Sequence, residues 1–155
     1  MAKYTVYSFV DVRVVMYHPA VGQCVLSSQG MGRVVVARSG DLSSHTATAD
    51  GYVVVNRLRS ENGTITIEVP QNSSADEYLR KWARYLKNVS DSGKFALTTL
   101  NIVDQAGNFT ISCEGVTPQK IPDRTYDREA SNLSWTLLAA TISECFYVCA
   151  FVTLE

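Results

Sequence analysis

The chain has 155 residues, the size of one domain, and 46% of them are hydrophobic. Its net charge of −1, with 19% charged residues, gives no footprint for gripping nucleic acid through its phosphates. No stretch approaches the roughly 20 apolar residues of a membrane helix. Met1-Ala2-Lys3-Tyr4 leads into alternating residues rather than the apolar block of a signal peptide, so neither membrane insertion nor secretion is expected.

Alternation over residues 4–16 predicts a long first strand ended by His18-Pro19. A short strand is expected at 24–27, before the turn Gln29-Gly30-Met31-Gly32, and another at 33–38. The polar segment 39–51 has almost nothing to bury and reads as a loop between apolar strands. Residues 52–59 and 64–69 are expected to pair as a hairpin around Ser60-Glu61-Asn62-Gly63, because Asn-Gly tolerates positive φ. The second of these strands is two-faced, with Ile65, Ile67 and Val69 against Thr64, Thr66 and Glu68.

Residues 75–87 read as the one helix. Ser74-Ala75-Asp76-Glu77 resembles a capping box with acidic residues in the first turn. Leu79, Trp82, Ala83 and Leu86 form the apolar stripe, and Arg80, Lys81, Arg84 and Lys87 face away from it. Strands are expected again at 95–103 and, after a turn at 104–108, at 109–113. Pro118 and Pro122 mark a connection with an edge segment, and 131–142 reads as the last clear strand, with Leu133, Trp135, Leu137 and Ala139 on one side. The uncharged segment 145–154 has to be covered by something, and the whole is expected to form a single domain over 1–155. Many short strands and one helix indicate a mainly β fold, an antiparallel β-sandwich or barrel with a flanking α-helix.

Catalytic and metal-binding patterns are missing. His18 and His45 are the two histidines, and neither lies near a cysteine at metal-ligand spacing. There is no Gly-x-Ser-x-Gly elbow or phosphate loop. Ser43 or Ser44 with His45 and Asp50 could be imagined as a hydrolytic triad, but adjacent residues in one loop are a poor scaffold for one. No enzyme activity and no cofactor or metal are expected, and Cys24, Cys113, Cys145 and Cys149 are expected to be buried free thiols. Several strands are apolar on both faces: 34–36, 52–55 and 145–152. A second copy of the chain would cover such faces, and so would a tightly closed sandwich.

Tyr7-Ser8-Phe9-Val10-Asp11-Val12, Thr48-Ala49-Asp50-Gly51-Tyr52-Val53, Gly63-Thr64-Ile65-Thr66-Ile67, the helix start at 73–79, Ile111-Ser112-Cys113-Glu114-Gly115-Val116 and Ser134-Trp135-Thr136-Leu137 follow one another in an order that resembles tail tube proteins of contractile-tailed bacteriophages. The resemblance covers about residues 7–142; the apolar segment 143–155 lies outside it.

The resemblance implies a homo-oligomeric virion component, assembled in the host cytoplasm, whose six-membered rings stack into a tube inside a sheath. Baseplate and terminator proteins would close the tube, and genomic DNA would pass through its lumen without specific binding. It also implies that the segment 39–51, with Ser39, Gly40, Asp41, Leu42, Ser43, Ser44, His45, Thr46 and Asp50, reaches a neighbouring ring. On that footing Thr64, Thr66 and Glu68 are candidates for the lumen wall, since DNA slides best past polar or acidic groups. Arg80, Lys81, Arg84 and Lys87 are candidates for the sheath side. Other readings are a β-sandwich binding module with Tyr and Trp lining a groove, or the tube of a phage-derived bacteriocin or type VI secretion system.

Overall fold

A computed structural model describes residue 4 and residues 6–27 and 30–146. In chain order the strands are β1 (Val12–His18), β2 (Gly22–Leu26), β3 (Arg33–Arg38), β4 (Ser43–Ala47), β5 (Val53–Arg57) and β6 (Gly63–Pro70). Helix α1 (Ser74–Asn88) follows, then β7 (Thr98–Asp104), β8 (Phe109–Lys120), β9 (Asn132–Ala139) and β10 (Thr141–Phe146).

All pairings are antiparallel, and β8 belongs to two sheets. Its first part pairs with β7 and β10, so that β2-β1-β7-β8-β10 form one sheet. Its last residues pair with β9, which continues through β6 to β3. The crossing happens at Gly115, the extra residue of a bulge: Glu114 faces Thr99 and Val116 faces Thr98. Gly115 has φ +65, and a Cβ there would lie 2.8 Å from that of Ala140, so both the backbone and the close approach call for glycine. The path ends at β2 and β3 without joining them. The β-sandwich expected from sequence is present, and the barrel alternative is not.

Alternation places one side of each strand in the core. β6 buries Gly63, Ile65, Ile67 and Val69; β9 buries Leu133, Trp135, Leu137 and Ala139; β1 adds Val14 and Met16, and β7 adds Leu100. Helix α1 closes one side with Ala75, Leu79, Trp82, Ala83 and Leu86, each buried. A Leu or Val side chain fully withdrawn from water contributes about 1.5–3 kcal/mol. The helix is capped by Ser73 rather than Ser74: the Ser73 hydroxyl accepts from the Asp76 N–H at 3.2 Å. Trp82 Nε1 donates to Thr98 Oγ1 at 2.8 Å, which gives the buried indole a partner and ties the helix to β7.

Several strand boundaries differ from the sequence expectation. Alternation begins at residue 4, yet β1 starts at Val12, because β7 ends at Asp104 directly opposite it. Before it, the Ser8 side chain caps a 3₁₀ turn at Phe9–Asp11, and Tyr4, Val6, Tyr7 and Val10 stay exposed. Pro118 lies inside β8, at the register shift opposite Leu137, where the missing N–H is tolerated. The last expected strand divides at Ala140, whose N–H turns to the Glu114 carbonyl at 3.0 Å. Of the apolar segment 143–155, only 143–146 fall within the described residues.

Candidate assembly surfaces

The largest departure from expectation is the pairing of β5. It pairs with β4, not with β6, and Asp50-Gly51 forms the turn, with Gly51 at φ +83. The segment 39–51 is therefore half of a hairpin rather than a loop. The chain does not reverse at Ser60-Glu61-Asn62-Gly63 but runs through it. The β3–β6 ladder ends with Arg38 opposite Gly63, continues through Ser39 N–H to Asn62 O at 3.1 Å, and resumes at Leu58 N–H to Leu42 O at 2.9 Å. From there Ser43 faces Arg57 and Ala47 faces Val53. The result is one long β-arm with an irregularity at 40–41 and 59–61. Gly63 is needed there because a Cβ would press into the Ala37 carbonyl and Ile142 Cδ1, and Gly40 lies against the Ser60 side chain.

Beyond this root the arm stands away from the body. Every β4 residue is exposed, as are Leu42, Tyr52, Val53, Val54, Val55 and Leu58. One face carries His45 opposite Val55 and Ala47 opposite Val53. On the other, Asn56 Nδ2 donates to Ser44 Oγ and Thr46 Oγ1, both at 3.3 Å. At about 3.3 Å per residue the strands from Ser39 to the turn reach roughly 30 Å. A lone two-stranded ribbon is marginal in water, and here its valines stand 43–64% exposed, without cover among the described residues. Ser39, Gly40, Asp41 and Leu42 form its root, Ser43, Ser44, His45 and Thr46 lie along β4, and Asp50 sits at the tip. Among the described residues no hydrogen bond joins His45 to a serine or to Asp50, so the imagined triad is not assembled.

Thr64, Thr66 and Glu68 lie together on the face of β6 that points away from the core, each partly exposed. They are flanked by Ala37, Val35 and Arg33 on β3 and by Leu138, Thr136 and Ser134 on β9. Thr66 is directly opposite Thr136, and Glu68 is directly opposite Arg33. This face is rich in hydroxyl groups, and its Arg33 and Glu68 balance in charge.

On α1, Lys81, Arg84 and Lys87 are exposed, but Arg80 is engaged elsewhere. Its guanidinium lies 5.8 Å from the Trp135 ring centroid, and Nε sits 3.1 Å from Asp76 Oδ2. Asp76, 2% exposed, also accepts from Trp135 Nε1 at 3.2 Å. Arg80 thus neutralises a buried carboxylate that holds the helix to β9, a role the sequence pattern of a basic face conceals.

The remaining reactive groups are placed in the fold. His18 is buried: its Nδ1 accepts from the Ala20 N–H at 3.1 Å, so Nε2 is the donor to the Lys94 carbonyl at 3.1 Å. Cys113 is a buried free thiol whose pKa burial pushes up to about 11, against a smaller opposing effect of Arg38. Cys24 is a half-buried free thiol, also raised by burial, and Cys145 is half-buried in β10. Cys149 lies outside the described residues. Among the described residues no cluster of three or more His, Cys, Asp or Glu could hold a metal ion, and no helix is long and apolar enough to cross a membrane.

Comparison with known proteins gives this architecture a place. No curated protein matches the chain. Among solved structures, the sheath–tube complex of an extracellular contractile injection system, PVC, in its extended state matches at TM-score 0.59 and 12% identity, over 93% of each chain. The tube-terminating cap of the anti-feeding prophage matches at 0.61 and 10%, over 94% of each. The PVC sheath/tube terminator matches at 0.62 and 13%, over 93% of this chain and 99% of that one. At such identities the likeness speaks for the fold. The family model for the bacteriophage PhiTE tail tube protein matches residues 4–146, and the chain belongs to this tail tube family.

Proposed function

We propose that this chain is the structural, non-catalytic subunit of an inner tail tube, self-assembling into stacked rings within the tail of a virion. The observation that carries this reading is the β-arm: valines exposed on an extension that no other described residue covers, in a member of a tail tube family. Another copy supplies that cover, and because the arm and its receiving surface differ, the contact is head-to-tail and propagates along a stack. Residues 39–51, paired with 53–57, link one ring to the next. Six subunits per ring is the number expected for the family.

Thr64, Thr66 and Glu68, with Ser134 and Thr136 beside them, line the lumen in this reading. A wall without rows of Lys or Arg avoids the counterion-release attraction that would hold DNA in place, so the genome passes through without specific binding. Lys81 and Arg84 face the sheath, Lys87 stands at the end of the helix beside the neighbouring copy, and Arg80 contributes through the fold. Sheath, terminator and baseplate proteins are the partners this role requires, and the structural neighbours come from sheath–tube, tube-terminator and baseplate assemblies. Those neighbours also favour a second reading, the tube of a phage-derived injection machine whose lumen carries other cargo.

Electron microscopy of the purified protein tests the proposal. Rings or tubes are expected as concentration rises, and particles that stay monomeric at high concentration would overturn it. A particle purified with its cargo separates the two readings, since a DNA-filled head above the tail belongs to the first alone.

A further inference from the structure

An apolar groove lies beside the end of α1. Ala83 and Leu86 form its helical side, Phe95, Pro118 and Ile121 the other, and Lys87 and Lys120 stand at its edge. Phe95 is 42% exposed and Ile121 41%, so the apolar side of the groove is open to solvent. Lys120 has Asp123 at 3.6 Å, whereas Lys87 is in no ion pair among the described residues.

The tip of the β-arm has complementary chemistry. Thr48 N–H donates to the Tyr52 carbonyl at 2.8 Å and Gly51 N–H to the Thr48 carbonyl at 3.0 Å, holding a tight turn. That turn presents Tyr52, 71% exposed, and, two residues earlier, the exposed Asp50. An aromatic ring and a carboxylate on one turn suit an apolar groove edged by lysines.

The topology places tip and groove for a stack of copies. The arm leaves the body where Gly63 faces Ala139. β8 runs away from that end, passing Leu138 at Thr117 and Thr136 at Lys120, so Ile121 lies further along still. Arm and groove therefore lie in opposite directions from this root, as a contact between copies stacked head-to-tail requires.

We infer that the arm tip, through Tyr52 and Asp50, docks in the groove between Leu86, Phe95 and Ile121 of a second copy, with Asp50 meeting Lys87. This rests on the proposed stacking and assigns its receiving site. Tyr52 fills the apolar floor, and the ion pair sets register more than affinity.

The test mixes full-length Tyr52→Cys protein with full-length Ile121→Cys protein under assembling conditions and maps disulfide-joined peptides by mass spectrometry. A mixture of Tyr52→Cys with Thr125→Cys, an exposed position away from the groove, serves as control. At least tenfold more 52–121 linkage than 52–125 linkage is expected, and equal linkage overturns the docking site. In parallel, Asp50→Lys and Lys87→Glu should each cut the assembled fraction several-fold, and the combined charge swap should restore it. Tubes that form equally well with either single reversal contradict the inference while leaving stacking intact. Wild-type protein that never stacks contradicts both.

Discussion

The sandwich body and the projecting arm are built from the same kinds of residue and come to opposite ends. In β6, Ile65, Ile67 and Val69 are fully buried; in β5, a few residues away, Val53 is 49% exposed and Val55 64%. Both strands are β-branched and both sit in antiparallel ladders. The difference lies in what stands opposite their faces. β6 has β9, β3 and a capped helix around it, while among the described residues β5 has only β4 beside it. Strand pairing therefore occurs in both regions of this molecule, whereas burial depends on what packs against the strand faces, and in the proposed assembly a second copy supplies that packing for the arm.

That contrast can be broken first in the body. Trp135→Ala removes a fully buried ring together with its hydrogen bond to Asp76, and chemical denaturation of the dispersed protein should show a loss of about 3–5 kcal/mol. A loss below about 1 kcal/mol would mean that the core does not sit where β9 and α1 meet. In the arm, replacing both Val53 and Val55 by Thr should change the stability of the dispersed protein by no more than about 0.5 kcal/mol, while reducing assembly measured by sedimentation. If the pair instead destabilises the dispersed chain as strongly as a core change, the arm is packed on its own body. The smallest effect concerns reactivity. With its pKa raised to about 11 by burial, Cys113 should remain unalkylated by iodoacetamide at pH 8 until denaturant is added; rapid labelling in the native protein would place it outside the core.

Much of the body was legible in sequence, because its signals are local and periodic. The stripe Leu79, Trp82, Ala83 and Leu86 marked the helix, and the alternation of Leu133, Trp135, Leu137 and Ala139 marked β9. The partner of β5 was misread because Asn62-Gly63 and Asp50-Gly51 are both good hairpin turns. The choice falls to Asp50-Gly51 through the approach of Gly63 to Ala37 and Ile142, a contact between residues distant in sequence. The polar run 43–47 also carried no apolar alternation to announce a strand; its strand character comes from the ladder with β5. Arg80 was misplaced for a related reason: a basic residue on the outer side of a helix gives no sign that Asp76, one turn earlier, is buried beneath it. The tail tube resemblance survived these errors because it rests on the order of segments rather than on which strands pair.

The central claim is that the arm is completed by a neighbouring copy, and hydrogen exchange of the amides of β4 and β5 tests it most directly. In dispersed protein these amides should exchange far faster than those of β6 and β9, as befits an isolated ribbon. In the assembled form they should slow by at least about a hundredfold, approaching the body strands. Arm amides that exchange equally fast in the assembled and dispersed forms would contradict the account.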